Sequence, residues 1–282
     1  MRDDGGVTSS GTPRPRLIAT DLDGTLLRHD KTVSPRTVEA LAAAEEAGIE
    51  VIFVTGRPAR WMDVVSEHVH GHGLAICGNG ATVVDLHRGS ELVEVRPLPL
   101  EDATAVVGRM QLAVPGVSFA VERTTGFHHD PAYPPLHMDP AVEVAPVEKL
   151  LDAGMTGEAG PIVKLLAHHG ELGPDDFLSL GRDTAGAHAE FTRSSPTALL
   201  EISGRGVSKA STLARRCARQ GIRPEEVVAF GDMPNDLEML GWAGTSYAMA
   251  NAHPAVLAAT GRRTASNEED GVAVVIERLL AG

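Results

Sequence analysis

An α/β fold is predicted for this chain of 282 residues, with a doubly wound parallel sheet that is split by an inserted α+β module. Short apolar runs alternate with helical segments from Arg16 to Cys77, which is typical of strand–helix repeats in a parallel sheet. From about Thr82 the pattern changes into a hairpin and further short strands. The alternating pattern returns at Ser208, so the two outer segments are expected to form one core.

The first core segment begins with a strand that leads directly into a helix. Ser34 can cap this helix, Pro35 suits its first turn, and Gly48 suits its end. The predicted elements of the segment are a strand ending at Thr20, a helix over residues 36–47, a strand over 50–54, a helix carrying Trp61, and a strand over 74–77.

The inserted module is predicted to be mostly strands. A hairpin is indicated where two alternating runs, 81–85 and 91–95, flank the turn residues Arg88, Gly89 and Ser90. The elements predicted after it are a helix over 102–112, a strand over 117–121, a Pro- and His-rich loop over 128–140, and strands over 162–167, 187–191 and 198–202.

The second core segment completes the parallel sheet. Its predicted elements are a helix over 208–220, a strand over 227–230, a short strand over 246–249 and a terminal helix over 272–280. We therefore expect a flexible leader over 1–15, a core over 16–83 and 203–282, and an inserted domain over 84–202.

Composition restricts the class of function. A formal net charge of −13 argues against nucleic-acid binding, because such proteins carry a basic face. Cys77 and Cys217 fit neither a disulfide framework nor a zinc pattern. No apolar run is long enough to span a membrane, and no signal peptide is evident, so the expected location is cytoplasmic. The oligomeric state is not predictable from these features.

Polar residues follow the predicted core strands at one edge of the sheet, where open α/β sheets bind ligands. Asp21 and Asp23 come directly after the first strand, and Thr55 follows the second. Two neighbouring carboxylates can bind a divalent cation, or one can attack while the other moves a proton. A simple turn is the alternative interpretation, since Asp and Gly are also turn residues.

Two further groups decide between these interpretations. Lys209 lies at the start of a predicted helix, and a loop with Asp232, Asn235 and Asp236 follows a strand. Together with the first group they supply a nucleophile, a second acid, phosphate-binding donors and an acidic metal loop. The set therefore favours phosphoryl transfer over a turn.

The ordered motifs closely resemble those of the haloacid dehalogenase superfamily. They comprise DLDGT at 21–25, Thr55, Lys209 and GDMPND at 231–236. VTGRP at 54–58, CGNG at 77–80 and GVSKASTL at 206–213 are similar to the Cof-like subgroup, whose Rossmann-like core carries an inserted type II cap. The resemblance covers the core well, and the cap only in its placement and rough secondary structure.

This resemblance implies a role for each motif residue. Asp21 would be the nucleophile and Asp23 the proton carrier, while Asp21, Asp232 and the Asp23 backbone carbonyl would bind Mg²⁺. Asp236 would lie behind the metal ion, where it would orient either Lys209 or the water molecules bound to the metal. The remaining assignments are phosphate binding by Thr55, Gly56, Lys209 and Asn235, and a substrate entrance near Arg57 and Asn79.

The implied function is that of a Mg²⁺-dependent phosphatase acting on a small phosphorylated metabolite through an aspartyl-phosphate. The substrate would be a sugar phosphate or a phosphorylated cofactor, and the 4% aromatic content favours the sugar phosphate. A phosphomutase of the same superfamily is one alternative, and a receiver-like phosphate sensor is another. Substrate choice is expected to depend on the cap, with possible contacts from Arg123, His128, His129, Lys164 and Arg193.

Histidines in the cap suggest a second metal site, but only weakly. His128, His129 and His137 lie near Asp130 and Asp139, and their spacing matches no established ligand pattern. The surrounding prolines favour a solvated loop instead.

Overall fold

The computed structural model describes residues 15–66, 73–136, 140–152 and 160–281. Most of the predicted leader, residues 1–14, therefore lies outside the described residues, as do His137 and Asp139. The described part forms two sheets, one of seven strands and one of six, each with its own apolar core. It has no helix long and apolar enough to cross a bilayer.

The strands and helices of the described residues are numbered in chain order. The strands are β1 (Leu17–Thr20), β2 (Glu50–Val54), β3 (Leu74–Cys77), β4 (Thr82–Asp85), β5 (Glu91–Val95), β6 (Ser118–Arg123), β7 (Gly126–His129), β8 (Glu143–Val144), β9 (Ile162–His168), β10 (Ala189–Thr192), β11 (Leu199–Gly204), β12 (Val227–Gly231) and β13 (Thr245–Ala248). The helices are α1 (Pro35–Glu46), α2 (Asp63–Ser66), α3 (Leu100–Ala113), α4 (Val147–Leu150), α5 (Pro174–Ala185), α6 (Lys209–Gln220), α7 (Leu237–Trp242), α8 (Pro254–Ala259) and α9 (Gly271–Leu280).

The larger sheet has the order β13-β12-β1-β2-β3-β4-β5. The first five of these are parallel to one another, whereas β4 and β5 form an antiparallel hairpin on the β3 edge. β1 is central and wholly buried, which explains its continuous apolar run. Because β1, β2 and β12 are parallel neighbours, the loops after their carboxyl ends meet at one edge. The predicted doubly wound α/β core is confirmed.

The smaller sheet belongs to the inserted module and has the order β10-β11-β9-β6-β7-β8. Its strand pairs are antiparallel except for β7 with β8. One face packs through Phe119, Leu165 and Ile202 into an apolar cluster with helices α3 and α5. The other face carries Lys164 and Glu201 toward the core sheet, so this face forms the roof of the cleft between the two sheets.

The strand pairings put both ends of the insertion at different residues from those predicted. The hairpin β4–β5 extends the core sheet. The predicted boundary between residues 83 and 84 would have assigned most of this hairpin to the cap. β11 pairs with β10 as far as Gly204, beyond the predicted boundary at 202/203. The hairpin pattern did not indicate which sheet the hairpin would join. We propose that the cap extends from about residue 96 to residue 204.

The predicted solvated loop over 128–140 is wrong at its first two residues, whereas the described residues 130–136 lie outside the strands and helices. His128 and His129 belong to β7, where His128 pairs with Val121 and is only 2% exposed. Antiparallel pairing with β6 places the His128 ring on the covered face of the sheet. Burial lowers the pKa of His128, and the charge of Arg123 adds to this effect, so the neutral ring is favoured.

Candidate active site

Three carboxylates meet at the carboxyl edge of the core sheet. Asp21 follows β1, while Asp232 and Asp236 belong to the loop that follows the neighbouring strand β12. One oxygen from each lies within 4.8 Å of one from each of the others. All three are buried, with 5%, 6% and 0% of their surfaces exposed for Asp21, Asp232 and Asp236 respectively. The arrangement concentrates negative charge in a nearly dry site.

Lys209 reaches this cluster from the first turn of α6. Ser208 caps that helix, because its Oγ accepts from the Ser211 N–H at 3.2 Å while the Ser211 Oγ accepts from the Ser208 N–H at 2.9 Å. Lys209 Nζ then donates to Asp21 Oδ1 at 2.6 Å and to Asp236 Oδ1 at 2.7 Å. Burial opposes the charged form, but the two carboxylates outweigh it and raise the pKa of Lys209.

Asp236 is a structural support rather than an open ligand. Its Oδ2 accepts from the backbone N–H groups of Asp232 and Met233, both at 3.0 Å, and its Oδ1 accepts from Lys209. Both oxygens are therefore occupied by donors of the chain. Asp236 thus holds Lys209 and the backbone of the acidic loop in place.

Gly24 allows the two acidic loops to approach closely. It has φ +78°, a left-handed conformation that glycine adopts without strain, and an added Cβ would collide with the Asp232 carboxylate. Thr25 then donates from Oγ1 to Asp232 Oδ1 at 2.9 Å. In the sequence DGT after Leu22, the glycine thus leaves room for the Asp232 carboxylate and the threonine holds it by a hydrogen bond.

The chemistry of this cluster fits a divalent cation. Burial raises the pKa of Asp21 well above its ordinary value, and Asp236 and Asp232 raise it further against the opposing charge of Lys209. Burial and Asp236 raise the pKa of Asp232 to about 7. Burial is the main cause of both pKa shifts, so the charged carboxylates are disfavoured unless a cation compensates them. Carboxylate oxygens are the donors that Mg²⁺ prefers.

Asp23 has a different environment from Asp21. Arg57 donates to its carboxylate from Nε at 2.5 Å and from Nη2 at 2.7 Å, and Lys31 donates at 2.8 Å. Burial would raise the pKa of Asp23, but the hydrogen bonds and charges of Arg57 and Lys31 lower it to about 2. The Asp23 side chain is 40% exposed, so it lies nearer the solvent than Asp21 does.

The other predicted phosphate and entrance residues lie in adjacent loops. Thr55 is buried, and its Oγ1 accepts from the Arg57 N–H at 3.1 Å. Asn235 donates from Nδ2 to Asn79 Oδ1 at 3.0 Å, and Asn79 is buried with φ 55° and ψ 33°. The Gly56 carbonyl accepts from Lys164 of the cap at 2.9 Å. The structure thus brings the predicted site residues of the core together.

A cavity of about 490 Å³ lies between this edge and the cap. Asp21, Asp23, Thr55 and Gly56 line its core side. The residues that sequence reasoning did not identify, and that also line it, are Lys31, Arg60, Trp61, Glu122, Leu136, Leu166, Ser194, Ser195, Pro196, Thr197, Leu199 and Glu201. Glu201 was detectable as a charged residue within an apolar strand, whereas Lys31 carries no distinguishing signal.

Of the five cap residues predicted as possible contacts, Lys164 is among the residues that line the cavity. Arg123 is turned into the cap, where it donates to the carbonyls of Gly160 and Leu150, each at 2.8 Å. Arg193 pairs with Asp175 at 2.6 Å. His128 and His129 lie in β7 and are not among the residues that line this cavity.

Comparison with known proteins identifies the family. The model of the haloacid dehalogenase-like hydrolases matches residues 18–276. A 5-amino-6-(5-phospho-D-ribitylamino)uracil phosphatase of Bacillus subtilis is 32% identical over 266 residues, covering 92% of this chain and 96% of its own. A pyridoxal phosphate phosphatase of Escherichia coli is 30% identical over 274 residues, covering 93% and 97%.

The solved structures agree on the architecture. A sugar phosphatase of HAD subclass IIB superposes with a TM-score of 0.75 at 22% identity, covering 93% of this chain and 98% of its own. At that identity the likeness concerns the fold, including the inserted cap. The chain therefore belongs to the haloacid dehalogenase-like hydrolases, and the relatives that it matches along nearly its whole length are phosphatases.

Proposed function

We propose that this protein is a Mg²⁺-dependent phosphatase that works through an aspartyl-phosphate on Asp21. The observation that carries the proposal is the position of Asp21, whose carboxylate is held by Lys209 at 2.6 Å, lies among buried carboxylates and lines a cavity. A nucleophile, a fixed cation and room for a substrate are thereby combined in one place.

In the first step an Asp21 oxygen attacks phosphorus, and the bond from phosphorus to the leaving oxygen breaks. Asp23 takes up a proton from solvent once substrate binding draws Arg57 and Lys31 away from its carboxylate, and it transfers that proton to the leaving oxygen. In the second step a water attacks the aspartyl-phosphate, Asp23 accepts the proton of that water, and phosphate is released with Asp21 restored. Lys209 and Thr55 would stabilise the charge on the phosphoryl oxygens.

The cation would be held by the carboxylates of Asp21 and Asp232 and by the backbone carbonyl of Asp23. When bound, Mg²⁺ would reduce the repulsion between the carboxylate cluster and the phosphoryl group. Asp236 would keep Lys209 and the Asp232 loop in place, since both of its oxygens already accept hydrogen bonds.

The cavity favours a leaving group that contains a flat ring, so we place the substrate among the phosphorylated cofactors rather than the simple sugar phosphates. Trp61 lines it, together with the apolar side chains of Leu166 and Leu199 on the roof. Low aromatic content favoured a sugar, but the position of one tryptophan matters more than the total. The uracil and pyridoxal compounds named for the two relatives are also ring compounds.

The activity is tested by following phosphate release from an aryl phosphate with added Mg²⁺. Asp21→Asn keeps the shape of the side chain but removes the nucleophile, so we expect loss of phosphate release with a folded protein. Asp183→Asn, at an exposed position of the cap, is the matched control and should remain fully active. Full activity of Asp21→Asn would contradict the proposal. Isomerisation of a sugar phosphate without net phosphate release would indicate the phosphomutase instead.

The substrate class is tested separately, on a panel of phosphate esters. We expect kcat/KM to be higher for pyridoxal phosphate than for hexose phosphates. Trp61→Ala should remove most of that preference, whereas Trp61→Phe should keep part of it. Equal turnover of both classes, or a preference unchanged in Trp61→Ala, would contradict the assignment of a ring-containing substrate.

A further inference from the structure

A chain of hydrogen bonds crosses the cleft between the cap and the core. Lys164 Nζ donates to the Gly56 carbonyl at 2.9 Å and to Glu201 Oε2 at 2.8 Å. Asn79 Nδ2 donates to the same Glu201 oxygen at 2.7 Å. Asn79 Oδ1 accepts from Asn235 Nδ2 at 3.0 Å. The chain therefore runs from the loop after β2, through two cap residues, to the loop after β12.

The middle of this chain is almost dry. The side chains of Lys164 and Glu201 are each 6% exposed, and Ser194 also hydrogen-bonds to Glu201. Burial would raise the pKa of Glu201, but Lys164 outweighs this effect and lowers it, so the ion pair is maintained. A buried charge pair with this many partners fixes the geometry of its neighbours, because loss of one partner leaves the other uncompensated.

The backbone of the core is adapted to this contact. Asn79 has a left-handed conformation, which a non-glycine residue adopts at some cost, and its N–H donates to the Thr55 carbonyl at 3.0 Å. A Cβ at Gly56 would lie 3.2 Å from both Asn79 Oδ1 and Glu201 Oε2. The strained asparagine and the missing side chain at position 56 both allow the cap carboxylate to approach.

We propose that Lys164, Glu201 and Asn79, together called the cap bridge, are positioning residues that set the phosphate-binding loops only when the cap is closed. One end of the bridge holds the carbonyl of Gly56, next to Thr55. The other end holds the amide of Asn235, between Asp232 and Asp236. Closure of the cap would thus complete the site as well as exclude water.

This inference rests on the proposed function, but it differs from a role in substrate contact. Because Lys164 and Glu201 line the cavity, the alternative is that they act solely by touching the leaving group. In that case the loss of activity caused by substituting either residue would depend on the size of the leaving group. A positioning role predicts the same loss of activity for every phosphorylated substrate, including acetyl phosphate, an acyl phosphate whose leaving group is very small.

The first measurement needs no substrate. Hydrogen exchange is followed by mass spectrometry in the full-length protein, in Glu201→Gln and in Asn79→Gly, with Asp183→Asn as a neutralised, exposed cap carboxylate outside the bridge. We expect faster exchange in the peptides that cover residues 55–58 and 232–236 in the two bridge variants, and no change in the control. This result is independent of turnover, so it stands even if the protein releases no phosphate. Unchanged exchange in both bridge variants would overturn the proposal.

The second measurement compares kcat and KM on acetyl phosphate and on a larger aryl phosphate. We expect kcat to fall about tenfold to a hundredfold on both substrates in each bridge variant, with little change in KM. The double variant Glu201→Gln/Asn79→Gly should lose little more than either single variant, since both break one chain. Asn79→Gly keeps the left-handed backbone and the Lys164–Glu201 pair, so it carries the test if Glu201→Gln does not fold. A loss of kcat confined to the larger aryl phosphate, or losses that multiply in the double variant, would overturn the proposal.

Discussion

Lys209 Nζ lies 2.6 Å from Asp21 Oδ1, and both groups are buried at the edge of the core sheet. The contact joins residues 188 positions apart in the chain, across the whole of the inserted cap. It therefore forms only when the two core segments assemble. The same ammonium also holds Asp236, so one cation orients the proposed nucleophile and supports the acidic loop.

Lys209→Met should abolish most phosphate release. Removal of the ammonium leaves Asp21 and Asp236 facing each other and takes away a donor for the phosphoryl oxygens, so we expect kcat to fall by about 10²–10³. Lys149→Met, an exposed lysine of the cap, is the matched control and should keep the parent rate. Phosphate release by Lys209→Met at the parent rate would contradict the role of this cation.

The same variant should also lose stability when no metal is added. A buried charge pair that loses one partner costs about 3–5 kcal/mol, and here two carboxylates lose theirs. Added Mg²⁺ should restore part of the free energy of unfolding, measured by urea titration. A variant as stable as the parent in the chelator EDTA would show that Lys209 does not offset the carboxylate charge.

The core part of the site was predictable because its geometry follows from strand order. Asp21, Thr55 and Asp232 each come after a strand of one parallel sheet, and parallel neighbours bring such positions together. Lys209 was assignable only through the ordered motif set, since a single lysine at a helix start carries no chemistry of its own. Its capping box explains why the helix begins at that residue.

Gly24→Ala should reduce activity through Asp232. The left-handed φ of +78° is strained for alanine, and the new Cβ would collide with the Asp232 carboxylate. We expect a higher Mg²⁺ concentration for half-maximal phosphate release, together with a lower kcat. Gly221→Ala is the matched control, because Gly221 also has a left-handed φ, of +63°, but has open space around its Cβ position. Equal Mg²⁺ dependence in the two variants would mean that backbone strain alone lowers the activity of Gly24→Ala.

The cap was predictable only in outline, because the sequence does not specify which face of its sheet each strand residue occupies. Arg123 and His128 have the chemistry of ligand contacts, yet β6 and β7 turn both into the cap, where they are buried. Which face a strand residue occupies depends on register, and one step of register exchanges the two faces. Lys164 and Glu201 lie on the roof because the register between β9 and β11 places Leu166 opposite Glu201. No local pattern specifies that pairing.

Glu201 should contribute a measurable part of the acid sensitivity of the fold. Burial would raise the pKa of Glu201, but Lys164 and Lys209 favour its ionised form and lower the pKa below the ordinary value of 4.5. Buried Tyr133 also faces Glu201. A carboxyl with a lowered pKa in the folded state stabilises the protein above its unfolded pKa. That contribution is lost as the pH falls through the folded pKa, so the loss lies below pH 4.5.

The free energy of unfolding should therefore decline more steeply in the parent than in Glu201→Gln as the pH falls from about 5 to about 3. At neutral pH the variant should be the less stable of the two, because Lys164 then remains buried without its carboxylate. Urea titrations at several pH values measure both effects, and Glu225→Gln, at an exposed glutamate, is the control. Parallel curves for parent and Glu201→Gln would mean that Glu201 titrates alike in the folded and unfolded chain. In that case Lys164 and Glu201 would not form the persistent ion pair on which the cap bridge depends.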